Sequence, residues 1–312
     1  MSVVTSVCRR WLSEEAPARR LAVVRILVGA YAVVFIILRS FHWLDTARLP
    51  LRRFQPVGVL AWLDAPLSAG LVGALAVIAF ALAVAFAMGW RFAIVAPAFA
   101  LLLLVLTTHG NSWGQVLHTE NLLVLHVIIL AFSPADHAYA VGRATRADPA
   151  PSHDYGWALR VMTLVVVVAY VIAGLAKLRN GGMEWLTGDV LRNQVAHDNL
   201  LKIQLGDFHS PVGAWLVQFG WLFPPMAIAS VLVELGAPVV LLGRRWRTAW
   251  VSAAWAFHVG VLAIMAILFS YQLAGVAFAC MLPVERLADR VTAWRSRAST
   301  SSARTARRPG PG

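Results

Sequence analysis

Lys177 stands where a long apolar run, Gly156 to Gly174, gives out, within YVIAGLAKLRNGGMEWL (residues 170–186). An ammonium inside a membrane costs about 2.5 to 3.5 kcal/mol at a span's centre. The residue has two readings. Either the side chain snorkels to the surface, or it is a reactive amine kept neutral by apolar surroundings and able to act as a base. Glu234 and His258 each lie about ten residues inside other apolar runs, near a membrane midplane. A carboxyl group there is a functional-site candidate by default; the quieter alternative is a hydrogen bond between helices, for instance to His258. His126 sits in a further apolar run, where a neutral imidazole needs one partner. His109, His118, Glu120 and Asn121 gather in the polar stretch THGNSWGQVLHTEN, residues 108–121. No HExxH, no Cys/His cluster and no Gly-rich phosphate loop is present, so no metal is expected.

These residues need membrane-spanning elements to position them. The 312 residues are 59% hydrophobic and 13% charged, against about 25% charged in soluble domains. The expected fold is all-α: a polytopic helical membrane bundle with the lipid bilayer as its solvent. A net charge of +12 does not imply nucleic acid, because the charge sits in short loops beside apolar runs and in the tail, where cytoplasmic Lys and Arg face anionic lipid. Cys8 and Cys280 have no metal spacing, and no disulfide is expected. The first apolar run lacks a small-residue cleavage site and reads as a retained span.

Spans are expected near 21–38, 69–88, 92–107, 122–132, 155–176 and 225–242. Arg25, one turn inside the first, is expected to snorkel. Residues 212–223, with Trp215, Phe219 and Trp221, fit a surface-lying amphipathic helix. Thr248 to Leu282 is a run of 35 residues without Asp, Glu, Lys or Arg. As one helix it would reach about 52 Å, against a hydrocarbon core of about 30 Å. It is therefore divided into two short spans near Tyr271, giving about eight transmembrane helices with N- and C-termini cytoplasmic. That topology leaves nineteen basic residues inside and eight outside, together the 27 of the chain, as the positive-inside rule requires. Three parts are expected: a cytoplasmic segment 1–20, a transmembrane domain 21–283, and a basic disordered tail 284–312. His118, Lys177 and the polar segment 178–223 then share the outer face.

The order of motifs resembles the HTTM membrane domain shared by vitamin K-dependent gamma-carboxylases and many bacterial proteins. YVIAGLAKL and EWLTG (residues 170–178 and 184–188) are similar to the carboxylase pattern Y-x-x-AG-x-K-K-L followed by D-W-x-x-G. Glu234-Leu-Gly-Ala, His258 and FSYQLAGVAF (269–278) come in the same order. LAFSPADHAYAVG (130–142) and RILVGAYAV in the first span also fit. Ala176 replaces the first lysine of the pair, three extra residues separate Leu178 from Trp185, and the large lumenal domain of the carboxylases is expected to be missing.

The resemblance implies that Lys177 is the catalytic base, that His118 steadies a developing oxyanion, and that Glu234 and His258 shape or protonate the site. His126 and Trp185 are candidates for cofactor binding, the cofactor being reduced vitamin K or another quinol. In the carboxylases the lysine deprotonates vitamin K hydroquinone, and reaction with dioxygen yields the strong base that permits carboxylation of glutamate. Here a quinol-dependent, epoxidase- or carboxylase-type enzyme is implied, acting on a peptide or small-molecule substrate at the outer face of a bacterial inner membrane. Two other classes stay open: a proton-coupled transporter, and a membrane maturation factor or chaperone for a secreted peptide.

Overall fold

A computed structural model describes residues 11, 14–114, 116, 118–142, 149–286 and 289. Among these the chain is helical, and the pairing of Ala16 with Ser152 is an isolated bridge outside any strand. Cys8, the first ten residues and nearly all of the basic tail lie outside the described residues. The described residues form ten α-helices: α1 Ala18–Thr46, α2 Ala69–Met88, α3 Phe92–Gly110, α4 Asn121–Ala131, α5 His153–Leu186, α6 Asp189–Leu205, α7 Pro211–Leu216, α8 Phe223–Leu235, α9 Arg244–Met265 and α10 Ser270–Leu273. Five of them, α1, α2, α3, α5 and α9, are long and apolar enough to cross a membrane.

Local chemistry sets most ends. Ser68 caps α2, its hydroxyl accepting from Leu71 N–H, and Ser152 caps α5 through Asp154 N–H; each satisfies a donor left over at a helix start. Pro224 and Pro225 occupy the first turn of α8, where no amide partner is lost. α5 runs ten residues past the expected end at Ala176 and kinks at Gly182, whose φ of 53° and ψ of −140° suit glycine. The large core joins α1 to α5 with residues 276–281, and a smaller cluster forms around Trp185, Ala227 and Val231.

Three expectations change. Arg25 does not snorkel to the surface: it is 0% exposed. Its guanidinium donates to the carbonyls of Ala135 (2.5 Å), Ala138 (3.3 Å) and Tyr139 (2.6 Å). A buried guanidinium is tolerable when it is well hydrogen-bonded; both terminal nitrogens are met here, Nε has no partner among the described residues, and the group ties α1 to the SPADHAYAV turn. Residues 212–223 do not form one amphipathic helix, since α7 stops at Leu216 and a separate 3-10 turn covers Gly220–Leu222. The long uncharged run breaks at Ala266, in the left-handed region with φ 51°, and not at Tyr271. Beyond that break the chain does not form a second continuous helix; it forms α10 and a buried 3-10 segment, Val276–Met281.

Candidate functional site

α5 and α8 cross at Gly174. A Cβ there would stand 2.8 Å from Leu235 Cδ2 and 3.0 Å from Glu234 Cβ. The missing side chain lets the helices approach closely, as small residues do inside membranes. Lys177, one turn further along α5, then meets Glu234: its ammonium donates to Oε1 and the two form an ion pair. The Glu234 side chain is 5% exposed and that of Lys177 21%. Glu234 Oε2 has no protein partner among the described residues. The Lys177 Nζ also lies 5.3 Å from the ring centroids of both Trp185 and Phe257, a cation–π arrangement. Trp185 is fixed in turn by its indole N–H, 3.4 Å from Ser230 Oγ.

Two turns before Lys177, Tyr170 occupies the same face of α5. Its hydroxyl is 2.6 Å from His258 Nε2, with the ring edge-on to Trp250. Phe269 covers the other side of His258 at 4.8 Å. Glu234 and His258 are therefore not each other's partners, as the sequence had suggested; each is taken by a residue of α5.

Both pairs line one cavity of about 1240 Å³. Its wall is mostly aliphatic, from α5, α6, α8, α9 and the start of α4. Trp185, Gln194, Ser230 and Gln272 add polar atoms. Leu125, Val168 and Ile172 on the wall are exposed, so the cavity is not sealed. Of the sequence candidates, Lys177, Glu234, His258 and Trp185 come together here. His126 does not line the cavity: it is fully buried, and its Nδ1 lies 2.7 Å from the Tyr271 hydroxyl. His118 opens a single turn, His118–Glu120; its side chain lies outside the described residues. Its neighbours Thr119 and Asn121 are on the cavity wall. Among the described residues no three His, Cys, Asp or Glu side chains gather as a metal set.

The HTTM domain family matches residues 14–282, most of the chain. The chain belongs to the HTTM domain family. No curated protein and no solved structure matches it. With five helices able to span a bilayer, this HTTM protein is a membrane protein. Tyr170 is the residue of this candidate site that sequence reasoning passed over. Its signal was present, since it opens the YVIAGLAKL motif seven positions before Lys177 and so falls on the same helical face. Gln272 and Ser230 had no such signal, because only packing brings them to the wall.

Proposed function

We propose that this HTTM protein is a quinol-dependent membrane enzyme of the epoxidase or carboxylase type, with Lys177 as its base. The observation that carries the reading is the Lys177–Glu234 pair on the wall of a large, mainly apolar cavity. A volume near 1240 Å³ exceeds the roughly 300–1000 Å³ of drug-sized sites, and suits a ring system carrying a hydrocarbon tail. The exposed wall residues Val168 and Ile172 support loading from the lipid phase. A reduced quinol would supply an acidic hydroxyl and a redox-active ring.

The protein's own part is proton handling. Lys177 Nζ passes the proton of its ammonium to the Glu234 carboxylate it is paired with; the neutral amine then accepts a proton from a hydroxyl held beside it, which restores the ammonium and leaves Glu234 as the acid. Tyr170 fixes the His258 ring through Nε2 and holds a second exchangeable proton between the two atoms. His118 is assigned the oxyanion contact on the strength of the family pattern alone. Trp185 and Phe257 flank the amine and keep water from it. A peptide or small substrate would meet the site at the outer face.

We further propose eight crossings with both termini cytoplasmic, and a membrane domain of 21–283 between cytoplasmic segments 1–20 and 284–312. Contacts at one end of the bundle support this. Ala16 pairs with Ser152, Glu14 with Arg160, and Arg20 with Glu285 at 2.7 Å. The N-terminal segment, the start of α5 and residue 285 therefore share one side, as four crossings before α5 and four from α5 onward require. A bacterial inner membrane is the expected location.

Proton-coupled transport is the second reading, favoured by the buried Glu234 and His258 on one cavity. The test is thermal stabilisation of purified protein by a reduced naphthoquinone with a short isoprenoid tail. A raised melting temperature, absent in Lys177→Ala, supports the enzyme. No stabilisation, with proton flux in liposomes, replaces it with the transporter.

A further inference from the structure

The last carbonyls of a helix have no partner inside it. At the end of α9 three consecutive ones are taken by side chains from α6 and the turn into α7. Ser210 Oγ donates to Ala263 O at 2.5 Å, Asn199 Nδ2 to Ile264 O at 3.1 Å, and Lys202 Nζ to Met265 O at 2.5 Å. Asn199, 2% exposed, is the centre of this joint. Its amide also donates to Val195 O (2.8 Å), and its Oδ1 accepts from Ser210 N–H (2.7 Å). Both donors of that amide nitrogen are used, one within its own helix and one to α9.

The same helix closes the cavity. Leu191 and Val195 of α6 are on its wall, at the end where Trp185 and Lys177 sit. Val195 and Asn199 are one turn apart on the buried face, so the residue that seals and the residue that latches act together. The far side of this segment is apolar and exposed at Leu200, Ile203, Leu205 and Phe208; Arg192 Nε donates to Val217 O at 2.8 Å just past its end, and the latch is its polar attachment to α9.

We propose that residues 189–216 are a cap over the Lys177 end of the cavity, and that Asn199 is a positioning residue that locks the cap to the end of α9. With the lock made, water does not reach the amine from that end, and ligands exchange through the opening beside Val168 and Ile172. The proposal does not depend on what the cavity binds.

The test is labelling of purified protein in micelles by a water-soluble maleimide, read by mass spectrometry of the peptide that carries residue 195. Val195→Cys should react slowly, and Leu205→Cys, on the exposed side, quickly. Adding Asn199→Ala should speed labelling at 195 by at least about fivefold, the factor that one lost hydrogen bond of ~1 kcal/mol gives a local opening, and leave 205 unchanged. Ser210→Ala and Lys202→Met, which each remove one contact, should act in the same direction and serve if Asn199→Ala does not fold. Unchanged labelling at 195 in the folded variants would overturn the proposal, as would Val195→Cys reacting as fast as Leu205→Cys without any second change.

Discussion

Lys177 and Glu234, 57 positions apart in sequence, form an ion pair where α5 crosses α8. Neither charge would be tolerated alone in an apolar wall, and Gly174 supplies the close crossing that lets them meet. Removing one partner leaves the other buried and unpaired, which typically costs about 3 to 5 kcal/mol. Glu234→Leu should therefore lower the melting temperature strongly. The double variant Lys177→Met, Glu234→Leu should recover most of the loss, because two apolar side chains replace a pair. A double-mutant cycle followed by thermal unfolding in micelles checks this; additive losses would show that the pair is not coupled.

Gly174→Ala introduces a Cβ 2.8 Å from Leu235 and 3.0 Å from Glu234. Overpacking of this kind costs roughly 1 to 3 kcal/mol. Stability should fall by that amount, and quinol-induced stabilisation should weaken as Glu234 is pushed from Lys177. Melting curves with and without ligand measure both.

Arg25 makes three charged hydrogen bonds to carbonyls of the turn after α4. Arg25→Met should destabilise by at least about 3 kcal/mol, since bonds to charged groups are worth about 1.5 to 3 each and two of the three are short. Arg25→Lys should recover only part of it, because an ammonium cannot span the same carbonyls. Hydrogen exchange over residues 133–141 should rise in both variants.

At the end of the bundle where Arg20 meets Glu285, burial pushes the Glu285 carboxyl up, but hydrogen bonds from Arg20 and its own backbone, with the Arg20 charge, outweigh that and leave it below its ordinary 4.5. A carboxylate lowered on folding gives stability that is fully present above the unfolded value and is lost as pH falls through the folded one. Wild type should therefore melt higher than Glu285→Gln at pH 7, with the difference shrinking once the pH drops below about 4.5. A difference that grows in acid would contradict the assignment.

The helices were legible where composition repeats over a whole span. α2 ends at the expected Ala69 and Met88, and α3 and α4 lie within a few residues of expectation. The breaks were not. Ala266 turns left-handed inside a uniformly apolar run, and no Gly or Pro marks the place. Lys177, Glu234, His258 and Trp185 were each visible as costly or family-patterned residues. Their pairing was not, because it depends on a crossing point set by Gly174 and on Tyr170, whose hydroxyl has no cost until it is buried. The setting of His126 was hidden for the same reason: its Nδ1 meets the Tyr271 hydroxyl, a partner 145 positions away in sequence.

The most direct test of the central claim is turnover of a reduced naphthoquinone and dioxygen to the naphthoquinone epoxide and water by purified protein in liposomes, comparing wild type with Lys177→Arg. Arginine keeps the charge and can still pair with Glu234, but guanidinium does not give up its proton. The account predicts epoxide from wild type and a loss of at least about a hundredfold in the variant, the contribution expected of a general base, with the fold retained. Epoxide formed at the wild-type rate by Lys177→Arg, or none formed by wild type that binds the quinol, would contradict it.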